Sequence, residues 1–69
     1  MVVLNTIELE GVSTASWRHA AQEALSEASR TLRNIRRMDI LGTSAVVENG
    51  DVTEYRTQVR LLFEVESSR

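Results

Sequence analysis

Ile35-Arg36-Arg37-Met38-Asp39-Ile40-Leu41-Gly42-Thr43-Ser44-Ala45-Val46-Val47-Glu48 and Asp51-Val52-Thr53-Glu54-Tyr55-Arg56-Thr57-Gln58-Val59-Arg60-Leu61-Leu62-Phe63-Glu64-Val65 flank the dipeptide Asn49-Gly50. Asn-Gly accepts the positive φ angles that a type I′ turn demands at both central positions, so the stretch reads as one long β-hairpin. A turn there pairs Glu48 with Asp51. Carried outward, that register opposes Val46 to Thr53, Ser44 to Tyr55, Gly42 to Thr57, Ile40 to Val59 and Met38 to Leu61, a mostly apolar face. The alternate residues then share the other face: Arg37, Asp39 and Leu41 with Arg56, Gln58, Arg60 and Leu62. A bulge near Gly42 would shift part of this pairing by one residue.

Upstream of the hairpin lies one helix. Ser13, Thr14 and Ser16 can each cap its first turn. Trp17, Ala20, Ala21, Ala24, Leu25, Ala28 and Leu32 then recur at steps of three and four, an apolar stripe of helical period able to cover one sheet face. Arg30 and Arg33 fall in the expected last turns, where the helix dipole favours cations, and Asn34 is the expected stop. Before the helix, Val3 to Glu10 alternates, with Val3, Ile7 and Leu9 on one side and Thr6, Glu8 and Glu10 on the other. This reads as a first strand ended by Gly11. The expected fold class is α+β, in the order β-α-β-β, with a three-stranded antiparallel sheet wrapped around one helix. No linker, repeat or low-complexity tract divides the chain, and residues 1–69 are expected to form a single domain.

A chain of 69 residues without cysteine has little to oppose its loss of conformational freedom. Apolar burial at ~25 cal/mol per Å² and an ordering cost of roughly 1.5 kcal/mol per residue nearly cancel at this size. A disulfide is impossible, and one histidine cannot assemble a structural zinc site, which leaves self-association as the expected remedy. The sheet face left bare by the helix supplies the surface.

The formal charge of −2 argues against a nucleic-acid partner, and no apolar run approaches the ~20 residues of a membrane span. Met1-Val2-Val3-Leu4 lacks a positively charged leader, and a cytoplasmic protein is expected. All eight basic residues are arginine, which excludes Schiff-base chemistry and a phosphate-binding lysine loop. His19, the one imidazole, lies off the apolar stripe and reads as a solvated surface group. Glu23 and Glu27 read as a solvated helix face rather than a carboxylate pair, and Glu48 with Asp51 as turn residues facing water. Trp17 on the stripe reads as core or interface packing, and Tyr55 and Phe63 as core. No catalytic residue and no metal site is expected.

The element order, Glu10-Gly11-Val12-Ser13 followed by Ser16-Trp17, the Ala-rich helix running to Thr31-Leu32-Arg33-Asn34-Ile35, and Glu54-Tyr55-Arg56-Thr57-Gln58-Val59 with Phe63-Glu64-Val65 together resemble a dodecin. The likeness spans about Ile7 to Glu66. It rests on the combination of length, element order and hairpin residues, with no single diagnostic motif. What it implies is a hollow homododecamer with 23 symmetry that binds flavin (riboflavin or FMN) in pairs at two-fold contacts, as a store and not as an enzyme. In the family a Trp on the second strand stacks on the isoalloxazine and a Gln on the third bonds its pyrimidine edge.

Here Arg37 stands at the Trp position and Arg56 at the Gln position. Aromatic stacking is worth ~1 to 3 kcal/mol, so its loss predicts weakened flavin binding, although a guanidinium can also stack on a flat ring. Symmetry would bring Arg37 copies together, and Asp39, ~7 Å along the same face, is the nearest compensating charge. If Asp39 neutralises Arg37 the pocket becomes a salt-bridged interface that binds nothing; if not, an anion is favoured. The expected ligand-contact residues are Arg37, Asp39, Arg56 and Gln58. The alternatives are a ligand-free or ion-binding assembly of the same kind, and a small protein-interaction module. An enzyme using Asp39 as a base beside Arg37 is the least supported reading.

Overall fold

A computed structural model of the protein describes residues 2–65. Its elements are β1 (Val3–Ser13), α1 (Trp17–Ser29), β2 (Ile35–Glu48) and β3 (Asp51–Val65). The three strands form one antiparallel sheet in the order β1-β3-β2, so β3 is central and paired along nearly its whole length. The expected α+β architecture is the one observed.

The turn is as the dipeptide dictates: Asn49 has φ 53°, Gly50 has φ 80°, and Glu48 opposes Asp51. Met38–Leu61 and Ile40–Val59 also pair as expected. Between them and the turn the register differs. Leu41 is an extra residue on β2, so Gly42 opposes Gln58, Ser44 opposes Arg56 and Val46 opposes Glu54, instead of Thr57, Tyr55 and Thr53. Because strand side chains alternate, this one-residue slip moves Gly42, Ser44 and Val46 onto the arginine-bearing face and brings Thr43 and Ala45 inward. Thr53 is then the extra residue on β3, its hydroxyl donating to the Val46 carbonyl at 3.3 Å, and the register returns at Val47–Val52. A third irregularity leaves Arg36 extra between Ile35 and Arg37.

β1 runs three residues past Glu10 and through Gly11, which continues the ladder opposite Thr57. Glycine is required there by packing: a Cβ would overlap the Ala20 carbonyl of the helix. Of the three capping candidates, Ser16 is the N-cap, its Oγ accepting from the His19 amide at 2.9 Å. The helix ends at Ser29 with Arg30 as its C-cap, so Arg30 and Arg33 lie beyond the last turn and not in it. Asn34, with φ 63°, makes the left-handed bend that launches β2, and its carbonyl accepts from the Glu64 amide at 2.9 Å.

Small side chains set the helix close to the sheet. Ala21, Ala24 and Ala28 pack with Val59 and Leu61 as the buried core, joined by the partly buried Ile7, Leu9, Leu25, Leu32, Ile35 and Met38. Two polar bolts fix the helix start: Thr57 Oγ1 donates to the Trp17 carbonyl, and Trp17 Nε1 donates to the Ser44 carbonyl, each at 2.8 Å. Trp17 is not core; it is 44% exposed and meets Tyr55 edge-on, ring centroids 4.9 Å apart. The helix lies over β1 and β3 and hardly reaches β2, which leaves Ile40 54% exposed beside an open groove of about 330 Å³ lined by Trp17, Ala21, Met38 and Thr43.

Candidate functional site on the outer sheet face

The face turned away from the helix is built by alternation. On β3 it carries Glu54, Arg56, Gln58, Arg60 and Leu62; on β1 it carries Thr6, Glu8, Glu10 and Val12; on β2 it carries Arg37, Asp39, Gly42 and Ser44. The chain's three aromatic residues, Trp17, Tyr55 and Phe63, all lie elsewhere, on the helix or at inward positions of β3. This face therefore presents mainly charged and hydrogen-bonding groups.

Its side chains form a ladder of ion pairs across the strands. Glu10 Oε2 accepts from Arg56 Nη1 at 2.7 Å, and its other oxygen, Oε1, accepts from Gln58 Nε2 at 2.7 Å. Arg56 is held from the other side by Glu54 Oε1, through Nε at 3.2 Å and Nη2 at 2.9 Å. Arg60 Nη2 donates to Glu8 Oε2 at 3.1 Å. Arg37 Nε donates to Asp39 Oδ1 at 3.1 Å, and Arg36, at its bulge, pairs with Glu64 at 3.0 Å. Bonding to Arg56 and to Gln58 holds the Glu10 carboxyl below the ordinary carboxylate range, and the same contact with Glu10, with Glu54 adding to it, raises Arg56.

The four expected contact residues thus fall into two groups. Arg56 and Gln58 are joined through Glu10; Arg37 and Asp39 are joined directly, the compensation anticipated for an arginine at that position. The groups are separated along β3, since Asp39 opposes Arg60 while Gln58 opposes Gly42. Glu8, Glu10, Glu54 and Arg60 complete the site and had no place in the sequence-based set. Their signal was the Thr6-Glu8-Glu10 alternation, which acquires meaning only once β1 is placed beside β3 and its carboxylates beside the arginines.

His19 is exposed at the surface, as expected, and is also engaged: Nδ1 lies 2.7 Å from Ser13 Oγ and Nε2 lies 3.3 Å from Glu23 Oε2. Ser13 Oγ also accepts from the Ala15 amide at 2.9 Å and is buried, so the cluster braces the entry to the helix. Glu27 pairs with Arg30 at 3.4 Å and not with Glu23. Among the described residues no group of three or more His, Asp or Glu side chains is placed to hold a metal ion, and no helix is long and apolar enough to cross a membrane.

A family model for dodecin matches residues 3–66. The chain belongs to the dodecin family. Among solved structures, it superposes on dodecin from Streptomyces coelicolor with a TM-score of 0.91 at 25% identity, covering 97% of this chain and 96% of that one. A Thermus thermophilus protein gives 0.93 at 26% identity over 99% and 100% of the two chains. Calcium dodecin of Mycobacterium tuberculosis, described as calcium-chelating, gives 0.81 at 28% identity over 97% and 96%. Comparison with curated protein sequences finds no match.

Proposed function

We propose that this dodecin assembles as a homododecameric, non-enzymatic shell that holds a flat small ligand at intersubunit sites on its outer sheet face, with flavin bound more weakly than by dodecins that keep the stacking Trp. The observation that supports this reading is the outer face itself, which carries Arg37 and Arg56 where the resemblance puts the flavin contacts, holds no aromatic ring, and keeps its arginines in ion pairs. A ligand there must be stacked by guanidinium groups and bonded by Arg56 and Gln58, at the cost of opening existing ion pairs.

Assembly is supported by how little one chain buries. Among the described residues, four of the seven buried hydrophobic ones are alanines, while Leu4, Val12, Ile40, Leu41, Val47 and Val52 remain exposed. Exposed apolar side chains along so small a chain call for a partner, and copies of the same chain satisfy that need by symmetry. A particle about twelve times the 7.8 kDa chain mass in light scattering supports the shell; a monomer or dimer overturns it.

The ligand is tested by titrating riboflavin and FMN with the assembled protein while following flavin fluorescence. Quenching at micromolar protein, deepened at least tenfold in affinity by Arg37→Trp, is the expected result. Fluorescence unchanged by both proteins, each assembled normally, removes flavin from the reading. A calcium-binding reading, prompted by the Mycobacterium tuberculosis relative, finds no cluster of suitable carboxylates within one chain among the described residues.

A further inference from the structure

The two shortest side-chain bonds on the outer face converge on one group. Gln58 Nε2 and Arg56 Nη1 each reach a different oxygen of the Glu10 carboxylate at 2.7 Å. Two donors that fit the oxygens of a single carboxylate are spaced for any pair of acceptors attached to one carbon. The O=C–N edge of a pyrimidine-type ring is such a pair where the ring nitrogen carries no hydrogen, with a carbonyl oxygen and that nitrogen in place of the two oxygens. We propose that Glu10 is a built-in occupant of this donor pair, a specificity-determining residue that a ligand must displace in order to present an O=C–N edge to Gln58 and Arg56.

The proposal rests on the reading of this face as a ligand site. Its geometry is favourable in three respects. Arg56 is anchored independently by Glu54 through Nε and Nη2, so removal of Glu10 leaves Nη1 free with the guanidinium still held. The amide of Gln58 is confined on its other side by β2, where a Cβ at position 42 would stand 3.2 Å from Gln58 Oε1; glycine there leaves room for the amide to face Glu10. Finally, a charged carboxylate bonds a guanidinium more strongly than a neutral carbonyl does, and a tethered competitor acts at high local concentration. Glu10 therefore discriminates. It discourages neutral edges, and it repels carboxylate and phosphate groups that approach the same donors.

The test uses the assembled protein, wild type and Glu10→Ala, with riboflavin and with formate, a carboxylate small enough to take the vacated place. Riboflavin affinity is expected to rise at least tenfold in Glu10→Ala, and formate is expected to compete with riboflavin there and not in the wild type. The side-chain amide resonances of Gln58 should shift on formate addition in the variant alone. Unchanged or weaker riboflavin binding by Glu10→Ala, while Gln58→Ala weakens the wild type, overturns the role of Glu10 and leaves the ligand site standing. If riboflavin is ignored by both proteins but formate moves the Gln58 amide only in Glu10→Ala, the flavin reading falls and the occupied donor pair stands. Neither quenching nor a shift overturns both.

Discussion

The two faces of β3 share one backbone and obey different rules. Thr57, Val59 and Leu61, pointing inward, are at most 1% exposed and meet alanines of the helix, so each volume is fixed by what faces it. Arg56, Gln58 and Arg60, alternating with them, reach solvent and are fixed by partners on β1 and on their own strand. Inward positions define the fold; outward positions can vary around it. That is why a chain at about a quarter identity keeps a dodecin backbone.

The contrast predicts a graded series of effects. The severest should be Gly11→Ala, which drives a methyl group into the Ala20 carbonyl; backbone cannot yield as a side-chain tip can, and a loss of about 3 kcal/mol or more is expected in urea denaturation. A wild-type midpoint in that variant would break the claim that helix and sheet are in closest approach there. Leu61→Ala, opening a cavity at a fully buried site, should cost about 3 kcal/mol by the same measurement. Thr57→Val keeps the shape but removes the donor to the Trp17 carbonyl, and about 1 kcal/mol is expected.

On the outer face the expected effects shrink. Arg37→Ala breaks an exposed pair with Asp39 and should shift stability by about 0.5 kcal/mol or less; a loss as large as that of Leu61→Ala would show that the face is buried between subunits. The smallest effect concerns pH. Glu10 is held below its ordinary value when folded, by Arg56 first and Gln58 second, so its contribution is present above the unfolded carboxylate value of about 4.5 and disappears as pH falls through the lower folded value. Comparing the stability of the wild type with that of Glu10→Gln as pH falls should show a difference that is full above that ordinary value and disappears below it, and that added salt reduces.

Much of this was legible in the sequence, for physical reasons that differ by element. Asn49-Gly50 is a local signal, since the backbone angles it permits are a property of two residues, and it placed the hairpin. The alanine stripe placed the helix, although Arg30 and Arg33 could not reveal that the last turn closes at Ser29. The bulge beside Gly42 is legible only as a place where the pairing can slip, and the one at Thr53 leaves no trace, because both neighbouring phases look acceptable: Thr43 and Ser44 are equally at ease facing in or out. Strand order was also hidden. Nothing local to Glu8 or Glu10 says which strand they will lie beside, and the ion-pair ladder depends wholly on that choice.

The paired bulges have a consequence for how the chain can change length. One extra residue on β2 and one on β3 cancel, so the segment Gly42–Val46 is out of phase with the rest of the hairpin while both ends remain in step. Deleting Leu41 alone would remove its bulge and leave Gly42 opposite Gln58 and Ser44 opposite Arg56, because the alternation from Ile40 then runs straight on. Deleting Leu41 and Thr53 together would leave the turn and the far end of the hairpin in register. Each bulge is therefore a place where the hairpin can gain or lose one residue without moving the pairs on either side of it.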